Sequence, residues 1–360
     1  MRLAKPLAPG STIGILGGGQ LGRMLALAAG QLGLKCHIFA PEGDSPAFQV
    51  SAAHLVAGYQ DFAALEAFAK RVDVVTYEFE NVPGDTAAFL EKHCVLAPSS
   101  AALKTAQDRI DEKNFIAGLG IPVAPFAAVN GEAELDEAIA RIGRPSVLKT
   151  RRFGYDGKGQ TKIVEDTSAA AGWAEIGKAP AILEGFISFD KEISVIAARG
   201  WDGSIEVYDV PENNHENHIL RTSTVPASIS RATAEEARDM ARAIVGALDY
   251  VGVMGIEMFV SGTRLIVNEI APRVHNSGHW TQDACVVSQF EQHIRAICGW
   301  PLGSPERHSN VIMHNILGHE SDNWAAYGAS AHTGVHFYGK AEARRGRKMG
   351  HINVLTPRQG

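Results

Sequence analysis

Residues 251–280 read VGVMGIEMFVSGTRLIVNEIAPRVHNSGHW, and this stretch decides the fold. Two β-rich runs, Val251 to Val260 and Leu265 to Ile270, flank Ser261, Gly262 and Thr263, the pattern of a hairpin with a short glycine-containing loop. Side chains alternate along strands, so a three-residue loop puts Glu257 and Glu269 on one face, whereas a two-residue loop sets Glu257 opposite Asn268. Either register gathers hard oxygen ligands. A carboxylate in an apolar strand is costly unless it is paired or metal-bound, and two side by side repel. A divalent cation resolves both problems. The oxygen set Glu257, Glu269 and Asn268 suits Mg²⁺, which takes one or two protein carboxylates and completes its shell with water and nucleotide phosphates. The alternative is a hairpin whose acids face solvent. Against it, Arg273, His275, Asn276 and His279 follow at once, crowding polar groups at a strand's carboxyl end, where α/β folds build sites.

The rest of the chain is ordinary globular protein, with 45% hydrophobic and 21% charged residues over 360, enough for two or three domains. A net charge of −6 supplies no overall basic field for nucleic acid or acidic lipid, which leaves small ligands as the expected partners. The four cysteines, Cys36, Cys94, Cys285 and Cys298, have neither CxxC spacing nor a disulfide framework, so a reducing, cytoplasmic setting is expected. No apolar h-region precedes the first strand and no run of about 18 apolar residues occurs, so neither export nor a membrane span is expected.

Residues 12–40 read strand, glycine turn, helix, strand, and Gly17, Gly19 and Gly22 satisfy G-x-G-x-x-G. A dinucleotide fold wants an acid closing the second strand, but here that strand ends Phe39-Ala40-Pro41, which disfavours NAD. The loop either touches a substrate phosphate, with Gln20 as its polar contact, or makes a tight strand-helix junction. The strand Val72 to Tyr77 ends in Glu78-Phe79-Glu80, acids placed to hold ribose hydroxyls or to cap the next helix. Ser99 and Ser100 open a helix predicted to carry Asp108, Arg109 and Lys113 and to stop at Gly120-Ile121-Pro122, a first boundary. On the residues alone, Arg109 reads as a solvated helical charge.

In PSVLKTRRFGYDGKGQ, residues 145–160, a short strand delivers Lys149. A loop with Gly154, Gly157 and Gly159 follows, set among Arg151, Arg152 and Lys158. Glycines let such a loop close over phosphates and the cations neutralise them, although the P-loop spacing is absent. Ala181 to Phe186 reads as a strand whose Glu184 ends beside an adenine, and Glu192 is a candidate for ribose hydroxyls. His215, in the polar segment Glu212 to Asn217, reads as a surface-loop histidine. Thr233 to Leu248 and Thr281 to Cys298 read as capped helices, the second with an apolar face of Val286, Phe290, Ile294 and Ile297. Pro301 marks a second boundary, and the basic stretch Arg344 to Lys348 lies in a short-stranded tail that usually stays solvated.

Lys149 with its glycine loop, the Glu184 to Glu192 segment, and Glu257 with Asn268-Glu269 together resemble the ATP-grasp fold over roughly Arg109 to Gly299. Within it, GGGQLGRML, YEFENV, GYDGKGQ, APRVHNSGHWT and GRKMGH are similar, in order and over almost the whole chain, to the N5-carboxyaminoimidazole ribonucleotide synthetase family of purine biosynthesis. The resemblance implies an α/β and α+β fold: a Rossmann-like parallel-sheet domain (1–107), an ATP-grasp domain of two α+β subdomains (108–300) and a small β-rich C-terminal domain (301–360). It implies ATP- and bicarbonate-dependent carboxylation of 5-aminoimidazole ribonucleotide (AIR) through carboxyphosphate, by a homodimer using Mg²⁺, or Mn²⁺ in its place.

By the same resemblance ATP would meet Arg109, Lys149, Gly154, Tyr155, Asp156, Gly157, Lys158, Gly159 and Gln160. It would also meet Glu184, Gly185, Phe186, Ile187, Glu192, His215, Asn268 and Glu269, with Glu257 and Glu269 holding the metal. AIR and bicarbonate would meet Gln20, Glu80, Tyr155, Lys158, Arg273, Arg347 and Lys348, and the catalytic groups would be Arg273, His275, Asp156 and Lys158. Lys158 stands where relatives often carry Arg, which keeps the charge but loses bidentate geometry. The chain also ends soon after Val354, from which a trimmed C-terminal domain is expected. The neighbouring possibilities are a formate-dependent glycinamide ribonucleotide transformylase, which the SGHW and GRKMGH elements disfavour, a nucleotide-sensing module and an NAD-dependent dehydrogenase.

Overall fold

The computed structural model describes residues 1–154 and 157–358. Its first sheet holds β1 (Thr12–Leu16), β2 (Lys35–Ala40), β3 (Ala53–Val56) and β4 (Val74–Tyr77), all parallel in the order β3-β2-β1-β4. β1 is buried nearly throughout because helices cover the sheet, so its run of Ile13, Ile15 and Leu16 needs no polar alternation. The glycine turn leads straight into the helix Gln20–Gln31, as the sequence predicts.

A second, antiparallel sheet follows, made of β5 (Phe126–Val129), β6 (Ser146–Thr150), β7 (Gln160–Ile163) and β8 (Ala181–Gly185) in the order β5-β8-β6-β7. The helices Glu132–Ile142 and Ala169–Glu175 pack on it around Leu135, Leu148, Ile163, Trp173 and Leu183. The third sheet has nine strands. It comprises β9 (Lys191–Arg199), β10 (Ile205–Val207), β11 (Glu212–Glu216), β12 (Ile219–Val225), β13 (Gly252–Ser261), β14 (Arg264–Ala271), β15 (Ser309–Leu317), β16 (Thr333–Phe337) and β17 (Lys348–Pro357). Their order is β14-β13-β9-β11-β12-β15-β17-β16, with β10 beside β9, so the last three strands extend one continuous sheet. β17 lies between β15 and β16, paired along both edges. This is the α/β and α+β architecture expected from the sequence.

Several local expectations need correction. The helix from Ser100 is two helices, Ser100–Gln107 and Arg109–Gly118, because Asp108 is extended and its carboxylate accepts from the Ile110 N–H as a new N-cap. Thr281 to Cys298 likewise breaks into Thr281–Ala284 and Gln289–Ile297. Cys285 is extended and the Ser288 hydroxyl caps the second piece, so Val286, placed on an apolar face by the sequence, is 82% exposed while Phe290, Ile294 and Ile297 are buried. Glu212 to Asn217 is not a surface loop: Glu212–Glu216 is β11, with a bulge between Asn214 and His215.

Candidate active site

The opening hairpin forms, but its register comes from an unforeseen feature. The turn is two residues long, with Ser261 opposite Arg264 and Gly262 at φ 62°, where a side chain is disfavoured. A regular ladder would then set Glu257 opposite Asn268. Instead a bulge between Glu257 and Met258 makes Glu257 face Glu269. Because a bulge carries one extra residue past its partner, Asn268 and Glu269 both reach the cleft wall rather than pointing to opposite faces.

That wall belongs to a cleft of about 950 Å³ enclosed by all three sheets. From the first sheet come Gln20, Glu78 and Glu80, and Arg109 enters from the helix after it. The second sheet and its loop contribute Lys149, Gly154, Gly157, Lys158 and Gln160, with Phe186 just beyond β8. The third contributes Glu192, His215, Glu257, Asn268, Glu269 and, past β14, Arg273 and His275; Lys348 starts β17 at the same cavity. Gly157 needs its glycine twice over, since φ is 79° and a Cβ would lie 2.8 Å from the His218 ring.

Charges interlock across the cleft. Arg109 Nη1 lies 2.9 Å from Glu269 Oε2, so the residue read as a solvated helical charge is drawn to the paired acids. Arg273 Nε binds Glu80, the His215 ring contacts Glu192 at 2.5 Å, and His275 Nε2 is 3.3 Å from Glu257 Oε1. Glu257 is raised above the ordinary carboxylate range by burial and then by the charge of Glu269. For Glu269 burial also raises, but Arg109 outweighs it and holds the group ionised. Burial, reinforced by Arg273, takes His275 down to about 3, so the ring is neutral. For His215 burial lowers, and the hydrogen bond and charge of Glu192 prevail to raise it.

Other sequence candidates lie elsewhere. Glu184 is 4% exposed beneath the cleft, where it pairs with Lys113 Nζ at 3.1 Å and with Lys149. It sits on β8 between the neighbouring strands and is reached by ammonium groups rather than by the cavity. Gly185, Ile187 and Gly159 are outside the cavity lining, although Gly159 anchors its loop by accepting from the Thr150 N–H at 2.8 Å. Arg347 is turned to the Glu342 carbonyl oxygen at 2.7 Å on an exposed turn, whereas Lys348, one residue on, enters the strand and the cleft. Arg151 and Arg152, read as phosphate cations, point back to Asp108 and Gln107. Tyr155 and Asp156 lie outside the described residues.

The sequence reading missed the aromatic wall of Phe189 stacked on Phe259, ring centroids 4.5 Å apart, because an alternating strand Phe reads as core. Lys113, named from the sequence only as a helical residue, is buried and donates to the Asn268 carbonyl behind the acids. At the glycine loop the backbone amides meet Glu78. Its carboxylate accepts from the Gly22 N–H at 2.5 Å and from the Gly19 N–H, so a residue of the chain occupies the amide cradle that a dinucleotide phosphate would take.

A glycine-rich loop on a small antiparallel sheet, facing paired acids on a larger one across a basic cleft, defines an ATP-grasp enzyme. The ATP-grasp domain family matches residues 114–290, the ribonucleotide synthetase preATP-grasp domain 11–107, and the phosphoribosylaminoimidazole carboxylase C-terminal domain 311–360. The N5-carboxyaminoimidazole ribonucleotide synthase of Brucella melitensis is 51% identical over 356 residues, spanning 98% of each chain. A solved ADP complex of an N5-carboxyaminoimidazole ribonucleotide synthetase superposes with a TM-score of 0.95 at 44% identity, covering 98% of this chain and 94% of that one. The Aspergillus clavatus synthase in complex with ADP and 5-aminoimidazole ribonucleotide gives 0.89 at 32% identity, over 97% and 94% of the two chains. The chain belongs to the N5-carboxyaminoimidazole ribonucleotide synthase family and is an ATP-dependent ligase. Membership sets aside the transformylase, the sensing module and the NAD-dependent dehydrogenase.

Proposed function

We propose that this cleft carries out the ATP- and bicarbonate-dependent carboxylation of AIR to N5-carboxyaminoimidazole ribonucleotide. The observation that carries the reading is Glu257 facing Glu269 with Arg273 and His275 directly beyond, opposite the Lys149 strand and its glycine loop. Adenine fits the apolar wall of Phe186, Phe189 and Phe259, and Glu192 is at hand for the ribose. Arg109, Lys149 and Lys158 offset phosphate charge. The donor set fits Mg²⁺, because two carboxylates face each other and one raises the other's proton affinity, a repulsion that a cation relieves. Glu257 and Glu269 would hold it, and when bound it neutralises charge on the transferring phosphoryl group.

In this reading Arg273 and the neutral His275 bind bicarbonate, whose oxygen attacks the γ-phosphorus as the bond to ADP breaks. The resulting carboxyphosphate is held by the same two residues and kept from water by the closed loop. The exocyclic nitrogen of AIR then attacks the carboxyl carbon, phosphate departs, and the nitrogen's proton leaves with it. Gln20, Glu80 and Lys348 surround the acceptor, and Tyr155, Asp156 and Arg347 enter this proposal from the family resemblance. The homodimer and the cytoplasmic setting belong to it as well, and light scattering on the full chain tests the former.

The decisive assay follows ADP release with candidate acceptors. Turnover requiring both AIR and bicarbonate is expected, and turnover on glycinamide ribonucleotide with formate would overturn the reading. Glu269→Gln is expected to remove Mg²⁺-dependent turnover with the fold kept. Near-normal activity of this variant at low millimolar Mg²⁺, on the order of the metal's ordinary working range, would sink the metal assignment.

A further inference from the structure

Behind His275 runs a file of polar side chains with no contact to the cleft. The Ser223 hydroxyl on β12 donates to Asn213 Oδ1 on β11 at 2.7 Å. Asn213 Nδ2 donates to Ser194 Oγ on β9 at 3.0 Å. Ser194 Oγ lies 2.6 Å from Ser277 Oγ, which in turn lies 2.8 Å from His275 Nδ1. Ser194, Ser223 and Ser277 are fully buried and Asn213 nearly so, Ser277 on the turn after His275 and the other three in the nine-stranded sheet. Four buried polar groups at one place are costly unless each is satisfied, and here each has its partner.

The file has a direction. A carboxamide nitrogen only donates, so the Ser194 oxygen receives from Asn213; the Ser194 proton is satisfied when it goes to Ser277 Oγ, which leaves the Ser277 proton for His275 Nδ1. A second observation agrees: the Ser277 backbone N–H, which can only donate, points at the same Nδ1 at 3.4 Å. On the other side of the ring, Nε2 faces the cleft, 3.3 Å from Glu257 Oε1. An Nδ1 that accepts from a backbone N–H carries no hydrogen, which places the ring's N–H on Nε2.

We propose that Ser223, Asn213, Ser194 and Ser277 form a hydrogen-bond relay that fixes His275 as the Nε2–H tautomer, presenting a donor to the cleft. They are positioning residues, since none touches substrate. The consequence rests on the reading above that His275 meets bicarbonate. With Nε2–H forward the ring donates to a carboxyl oxygen, and with Nδ1–H forward a lone pair would face that oxygen and repel it. Ser194 and Ser223 sit on strands of the third sheet and Ser277 on the loop that carries His275, so the relay ties the ring and its loop to the sheet.

The test reads tautomer and kinetics on the full-length protein. In ¹⁵N-histidine spectra, with His275→Asn identifying the resonance, wild type should show Nε2 protonated and Nδ1 bare. Ser277→Ala should move the Nδ1 resonance toward a tautomer mixture. It should also raise the bicarbonate KM by about three- to tenfold, the loss of one neutral hydrogen bond, while the ATP KM stays put. Ser277→Thr, which keeps the hydroxyl, should restore both. A wild-type spectrum with Nδ1 protonated overturns the proposal whether or not any variant folds, as does a Ser277→Ala ring with unchanged resonances. If the tautomer shifts and the bicarbonate KM does not, the relay stands and the assignment of bicarbonate to His275 falls.

Discussion

Glu184 illustrates how a single residue can serve a site without entering it. Burial alone would raise its pKa, but the ammonium groups of Lys149 and Lys113 and then Arg109 outweigh burial and bring it down to about 2. A carboxylate depressed from 4.5 to about 2 contributes stability that is present above pH 4.5 and is lost as pH falls toward 2. Glu184→Gln leaves two buried ammonium groups short of a counter-charge, so it should cost about 3 kcal/mol at neutral pH and weaken ATP binding by releasing Lys149. Urea midpoints at pH 7 and pH 3 check this, with the gap from wild type expected to narrow on acidification. An equal gap at both pH values would refute the ion-pair account. The sequence set Glu184 beside the adenine and did not foresee its lysines, because a carboxylate at a strand end looks alike whether it meets a nucleotide or a lysine from another element. Lys113, 71 residues away in the chain, was the missing half of that information.

At the scale of elements, the hairpin was legible and its register was not. Alternation and a glycine turn identify two strands, whereas a bulge is set by the pairing on both sides of β13, including nine aligned residues on β9 that no local pattern announces. Helix breaks at Asp108 and Cys285 escaped for a related reason: a capping side chain inside a periodic run carries no signal until the backbone turns. β13 also determines where His275 can sit. A Cβ on Gly255 would lie 2.6 Å from His275 Cβ and 2.8 Å from its Cγ, distances that side-chain rotation cannot relieve because the nearest atom is at the root of the ring. Gly255→Ala should therefore displace His275 and lower kcat/KM for bicarbonate about tenfold or more, with circular dichroism unchanged and ATP binding nearly so. An unaltered bicarbonate dependence would show that this close packing has no part in placing the ring. The sequence alone gives Gly255 no role, and its purpose becomes visible when His275 folds onto it.

At the scale of the molecule, the distribution of cores sets the small antiparallel sheet apart from the other two. One cluster joins Ile13, Leu25 and Ile38 of the first sheet to Ile196, Val253, Phe290 and Ile294 and on to Val311 and Met313 of the C-terminal strands. His293 adds a polar tie, accepting from the Val253 N–H at 3.1 Å and bonding Thr76 on β4 at 2.8 Å, so β1–β4 and the nine-stranded sheet share an interior. β5–β8 and their two helices have a core of their own, Ala127 to Leu183, which among the described residues contains none from the other sheets. A unit with a private core can rotate without opening anyone else's, and this unit carries Lys149 and the glycine loop over the acids. A non-hydrolysable ATP analogue with Mg²⁺ should therefore slow amide exchange across β5–β8 by at least about tenfold, with little change in β1–β4, since closure adds contacts to the mobile body while the shared interior is already formed. Equal protection in both regions would mean that the three sheets respond as one body, and the loop's closure would then have to be local to the glycines.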